Sequence, residues 1–99
     1  MFYTYLLQSM KNGKFYVGYT PDLKQRLREH NLGLTFSTKP HRPWKVIYYE
    51  ACCNQDDAKL REVYLKSTQG RGMLKRRVTK SIFMAMGRKI NQIEDLLQG

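Results

Sequence analysis

The run Tyr3-Thr4-Tyr5-Leu6-Leu7-Gln8, then Asn12-Gly13, then Phe15-Tyr16-Val17-Gly18-Tyr19 decides the fold. Both flanks are rich in residues that suit a pleated, half-buried surface. Asn-Gly between two such runs supplies the positive φ angles of a tight turn. Residues 3–19 therefore predict an antiparallel hairpin. A glycine near a strand end, here Gly18, predicts that another group approaches the backbone closely.

Outward from the hairpin, Thr20-Pro21-Asp22 predicts a helix start, with Thr20 as the cap and Asp22 at the positive end of the helix dipole. The helix is expected to reach His30 and stop near Asn31 and Gly33. A loop with Thr35, Ser37, Thr38, Pro40 and Pro43 precedes a third strand over Lys45-Val46-Ile47-Tyr48-Tyr49-Glu50. Asn54 or Asp56 then caps a second helix ending at Ser67; Gly70 and Gly72 break it, and helix resumes at Met73 with a bend at Gly87. The order ββαβαα predicts an α+β domain, a small three-stranded antiparallel sheet flanked by helices.

The chain has 99 residues, enough for one domain. Eighteen Lys and Arg against eight Asp and Glu leave a net charge of +10, an excess that favours a polyanionic partner. Nucleic acid is the first candidate and an anionic membrane surface the second; solubility alone is the plainer alternative. No apolar run approaches the roughly 20 residues of a membrane span. The N-terminus lacks the basic region and cleavage site of a secretory signal. The expectation is a soluble, cytoplasmic protein with no membrane partner. Cys52 and Cys53 are neighbours without metal-ligand spacing and read as reduced thiols.

Three sets of residues stand out against this frame. On the first helix, taking Leu23 as zero, Leu27 falls at about +40°, His30 at about −20° and Arg26 at about −60°. A cation and an imidazole thus share the face that packs on the sheet, one turn apart. On the second helix, Leu60, Val63 and Tyr64 form one stripe, while Ala58, Glu62 and Leu65 form another roughly opposite. Glu62 therefore reads either as half of a solvated pair with Lys66 or as a buried acid that needs a cation. On the hairpin, Tyr3 and Tyr5 share a face, as packing residues or as chemistry.

In chain order the pattern is Tyr3-x-Tyr5, Tyr16-Val17-Gly18, Arg26, His30, Thr38, Pro43-Trp44, Tyr49-Glu50 and Ala58-x-x-x-Glu62-x-x-x-Lys66. Over about residues 3–78 this resembles the GIY-YIG nuclease superfamily, and within it the short stand-alone bacterial type. Tyr3-Thr4-Tyr5 departs from Gly-Ile-Tyr in its first two positions, and Tyr16-Val17-Gly18 from Tyr-Ile-Gly in one. The position after that glycine, lysine in some repair nucleases, is Tyr19. The resemblance implies phosphodiester hydrolysis assisted by one divalent cation, Mg²⁺ or Mn²⁺, held by Glu62. It implies catalytic roles for Tyr5, Tyr16, Arg26, His30 and Glu62. Arg26 offers a planar fork to phosphate oxygens. Tyr16 is the implied base, with His30 and Tyr5 assisting it or His30 relaying the proton itself; the sequence leaves both open.

The last third is basic, and Lys66, Arg71, Lys75, Arg76 and Arg77 are expected to contact phosphates. Ile82, Met86, Ile90, Ile93 and Leu97 recur at helical spacing, predicting an amphipathic helix. The expected division is a nuclease-like domain over 1–80 and a helical extension over 81–99, packed on the same domain or available as a dimer contact. The functional expectation is a metal-dependent endonuclease acting on DNA, with branched, damaged or nicked DNA as candidates for repair or recombination. The alternatives are a non-catalytic nucleic-acid-binding module of the same fold and an interaction scaffold using the C-terminal helix.

Overall fold

The computed structural model describes the backbone of residues 1–86 and side chains through Ile82. Strands β1 (Phe2–Ser9) and β2 (Phe15–Thr20) form the hairpin; helix α1 (Leu23–Leu32) follows, then β3 (Trp44–Cys52), α2 (Gln55–Lys66), α3 (Thr68–Arg77) and α4 (Thr79–Met86). The sheet is antiparallel in the order β2-β1-β3, so β1 is central. This is the expected α+β architecture. Gly13 at the hairpin turn has φ 79°, and the Asn12 side chain accepts a hydrogen bond from the Lys14 amide at 3.1 Å.

Strand alternation splits the core into two layers. Tyr5, Leu7 and Trp44 pack on one face with Leu23 and Leu27 of α1. Leu6 packs on the other with Leu65, Leu74, Val78 and Ile82 from α2, the α3 end and α4. The Thr4 hydroxyl donates to the Ala58 carbonyl at 2.8 Å, fixing α2 to that second face. A bulge in the β1–β3 pairing between Leu6 and Leu7 sets β3 out of step by one residue.

Several local expectations need correction. Asp22, not Thr20, caps α1, accepting from the Gln25 amide at 3.0 Å; the Thr20 hydroxyl instead accepts from the Asp22 amide at 3.1 Å. Asn54 caps α2. Gly70 and Gly72 do not break a helix. The break is at Ser67, which ends α2 and caps α3, and both glycines lie inside α3. Gly70 is required for another reason: a Cβ there would meet the Tyr64 carbonyl and, at 2.7 Å, Leu65 Cα, so its absence lets α3 turn tightly against α2. On α2 the buried residues are Ala58 and Leu65, while the stripe of Leu60, Val63 and Tyr64 faces outward.

The boundary expected between residues 80 and 81 falls inside α4, and Ile82 belongs to the core. The bend at Gly87 and the positions Ile90, Ile93 and Leu97 lie outside the described residues, as does any dimer contact they would make. No helix among the described residues is long and apolar enough to cross a membrane. Cys52 and Cys53 are both free thiols.

Candidate active site

The register of the hairpin places Tyr5 opposite Gly18 and Leu7 opposite Tyr16, so Tyr5 and Tyr16 share the face covered by α1. Gly18 is glycine because of Tyr5. A Cβ at Gly18 would run into the Tyr5 hydroxyl and come within 2.5 Å of Tyr5 Cζ and 3.1 Å of the Tyr16 ring. The missing side chain lets the phenol lie across β2 at the edge of the sheet. The close approach expected at Gly18 is this one.

The last turn of α1 supplies His30, which is fully buried. Its Nε2 lies 2.9 Å from the Tyr5 hydroxyl and its Nδ1 2.8 Å from Thr38 Oγ1. The Thr38 hydroxyl has one proton and gives it to the Thr35 carbonyl at 3.3 Å. It must therefore accept from His30 Nδ1–H, which leaves Nε2 as the acceptor for the Tyr5 proton. Desolvation by burial, with the Arg26 charge second and Glu29 opposing, lowers the His30 pKa from 6.5 to about 4. The imidazole is neutral at physiological pH, in the one tautomer that suits both partners.

Burial likewise is the main cause that raises the Tyr5 pKa, from 10.0 to about 12; the Arg26 hydrogen bond opposes it, and the charges of Tyr16 and Glu62 add to it. Arg26 lies near enough for its charge to oppose that rise, and its guanidinium pairs with Glu29 at 2.9 Å. Tyr16 is half-buried and sets its ring edge-on to His30, with centroids 5.1 Å apart.

Glu62 arrives by a different route. It does not share the face of Tyr5 and Tyr16, because α2 packs on the opposite side of the sheet. On α2 the neighbouring Arg61 forms a bidentate pair with Glu50 of β3, so that flank points to β3. Glu62 is about 100° further round the helix, and its charge adds a small contribution to the raised Tyr5 pKa. Four of the expected residues therefore meet on one face, while Glu62 lies on α2, on the other side of the sheet. Glu62 Oε2 accepts from Lys66 Nζ at 3.0 Å.

On the α2–α3 side of the sheet runs a groove of about 610 Å³, lined by Tyr16, by apolar residues of the second core layer such as Leu6, Leu74 and Ile82, and by the cations Lys14, Lys66, Arg71 and Lys75. Arg76 and Arg77 are not among its lining residues. On α3, Arg76 and Arg77 are turned about 100° and 200° from Lys75. Lys14, on the hairpin turn, lines the groove as well.

Three residues that hold the site had no role assigned from sequence. Thr38 orients His30 from eight positions away, and Trp44 Nε1 donates to the Thr38 carbonyl at 2.8 Å. Asn31 mimics a strand: its Oδ1 accepts from the Trp44 amide at 2.6 Å and its Nδ2 donates to the Trp44 carbonyl at 3.1 Å. That pair of hydrogen bonds ties the end of α1 to the start of β3. The Thr38 and Pro43-Trp44 positions were visible only as parts of a motif.

The three-stranded sheet, its two hairpin tyrosines and the arginine and histidine of the following helix all fall within a stretch that matches a catalytic-domain family. The chain belongs to the GIY-YIG catalytic domain family, which matches residues 1–77. Among its relatives, a UPF0213 protein of Pediococcus acidilactici is 38% identical over 77 residues, covering 75% of this chain and 78% of that protein. A UPF0213 protein of Clostridium perfringens is 34% identical over 83 residues, covering 83% and 88%. The structure-specific endonuclease subunit slx1 of Schizosaccharomyces japonicus is 50% identical over 55 residues, half of this chain but 20% of that protein. No solved structure matches the chain.

Proposed function

We propose that this protein is an endonuclease that hydrolyses phosphodiester bonds in DNA with one divalent cation, Mg²⁺ or Mn²⁺. The observation that carries the reading is the Tyr5–His30–Thr38 chain beside Arg26, with Tyr16 standing where the site opens into a cationic groove. His30 is buried and both its ring nitrogens are engaged, so it does not touch a water on the groove side. Tyr5 has its proton committed to His30 and a raised pKa. Tyr16, half-exposed and lining the groove, is therefore the residue to take a proton from the attacking water. Arg26 answers the charge that grows on the phosphate oxygens.

Among the described residues no cluster of three metal-ligating side chains exists. A single half-buried carboxylate, completed by water and a substrate phosphate, suits a hard cation such as Mg²⁺, and Glu62 is that carboxylate. When bound there, the cation would supply Lewis-acid stabilisation of the leaving oxygen. Lys14, Lys66, Arg71 and Lys75 would hold the flanking phosphates. A substrate chosen by its structure is favoured by the relative whose name is structure-specific endonuclease subunit, and a polyanion such as DNA by the net charge of +10.

A second reading, a binding module that does not cleave, is favoured by one observation, the Lys66–Glu62 pair that already neutralises the carboxylate. One experiment separates them: incubation of the full chain with nicked, branched and linear duplexes in Mg²⁺, Mn²⁺ or EDTA. The nuclease reading expects cleavage by wild type that EDTA and Glu62→Gln abolish, with Tyr16→Phe slowed on the order of 10²-fold or more. Binding without cleavage on every substrate replaces it with the binding module.

A further inference from the structure

The end of α1 and the segment after it expose three large apolar side chains in five residues: Leu32 at 61%, Leu34 at 70% and Phe36 at 93%. An aromatic ring left almost wholly in water is costly, and usually a sign that something covers it. This one is held out by a rigid backbone. The Leu34 amide donates to the Glu29 carbonyl at 3.0 Å, and the amides of Thr38 and Lys39 both donate to the Thr35 carbonyl, at 3.2 and 3.0 Å. Thr38 is buried, bonded to His30 and clamped by Trp44. Phe36 therefore projects from a fixed loop, two residues from a group that touches the site histidine. Two residues span at most about 7 Å of chain.

The surroundings are cationic. From Arg28 to Lys45 the chain carries Arg28, Lys39, Arg42 and Lys45 against a single acid, Glu29, which is already taken by Arg26 and Gln25. Arg42 folds over Gly33 and donates from Nε to the Lys39 carbonyl at 3.0 Å, within the same segment. An exposed aromatic on a segment whose charge is mostly positive does not suit a protein core partner. It suits a polyanion whose anionic strand flanks a flat apolar surface, namely an unstacked base between phosphates.

Resting on the nuclease reading above, we infer that Phe36, backed by Leu34, is a wedge that stacks on a base step opened at a nick or branch point in DNA. The wedge would select interrupted duplexes over continuous ones, and the fixed path Phe36–Thr38–His30 would set the distance from the interruption to the phosphate that is cut. Phe36 is a specificity-determining residue in this account and takes no part in the bond-breaking step.

The test uses the full chain in EDTA, so that no strand is cut. Binding is measured to nicked, branched and unbroken duplexes with 2-aminopurine at the interruption, or at the matching position of the unbroken duplex. Wild type is expected to raise the 2-aminopurine fluorescence on the nicked and branched duplexes and not on the unbroken one. Phe36→Ala should lose that rise and weaken binding to the interrupted duplexes by about 5- to 150-fold, the range of one base–aromatic stack. Binding to the unbroken duplex should be unchanged, and Phe36→Trp should restore the signal. An unchanged fluorescence rise in Phe36→Ala, or equal weakening on all three duplexes, overturns the wedge. So does self-association of wild type that Phe36→Ala removes, which would make a second copy the occupant. Binding with the fluorescence rise but no cleavage in Mg²⁺ leaves the wedge standing and overturns the nuclease reading; no binding to any duplex overturns both.

Discussion

Acidification tests the state of His30. In the folded protein its pKa lies at about 4, against 6.5 for an exposed imidazole. Between these values the unfolded chain takes up a proton that the folded chain refuses, so the unfolded state is favoured as pH falls. Stability is fully present above the unfolded pKa and is lost progressively down to the folded one. At about 1.4 kcal/mol per pH unit, the depression corresponds to roughly 3 kcal/mol in all, of which about 2 kcal/mol is lost by pH 5. The assay is urea unfolding at several pH values between about 7 and 5, above the range where carboxylates dominate. His30→Gln has no proton to gain, so its stability should vary over this window by about 2 kcal/mol less than wild type, whatever its absolute stability. Parallel pH dependences for the two proteins would refute the buried, neutral imidazole, and with it the assignment of Nε2 as acceptor for Tyr5.

Gly18→Ala places a methyl group against the Tyr5 phenol, and overpacking of this kind costs about 1–3 kcal/mol; thermal or urea unfolding should show it, with a greater loss of cleavage than Tyr5→Phe causes. Replacing Lys66, Arg71 and Lys75 together should flatten the slope of log K against log salt by about 2–3, whereas replacing Arg76 and Arg77 should change it by less, since they leave the groove. Arg26→Ala should stop cleavage and also weaken binding, whereas Glu62→Gln should stop cleavage with binding largely kept; equal binding losses in the two would put Glu62 in the phosphate contacts instead. Thr38→Val removes the acceptor for His30 Nδ1 but keeps the volume, and should lower the cleavage rate without changing the salt dependence of binding.

The sequence by itself determined the hairpin, the helix–strand–helix order and the shared face of Arg26 and His30. Each rests on a local cause: Asn12-Gly13 at a turn, a cap before a periodic run, the repeat of the α-helix. It also marked Gly18 as a place of close approach, because a glycine within a strand has few other reasons to be there. Helix breaks were read less well. Gly70 looked like a terminator, whereas its role is set by Tyr64 and Leu65 on the preceding helix, a contact that no propensity encodes. Lys75, Arg76 and Arg77 are adjacent in sequence, and helical rotation turns each about 100° from the last.

The tertiary structure alone decided how the site closes. That Tyr5 crosses to the sheet edge depends on its cross-strand partner being a glycine. That α2, with Glu62, lies across the sheet from the tyrosines depends on partners such as Thr4 and Glu50, which hold Ala58 and Arg61. Which nitrogen of His30 carries the proton depends on Thr38 and Thr35, in a loop that has no periodicity to read. Local patterning fixes elements because its interactions span a few residues of chain. The protonation state and reach of a catalytic group are set by partners distant in sequence, and these become neighbours only when the sheet, its two helical layers and the loop between them are assembled.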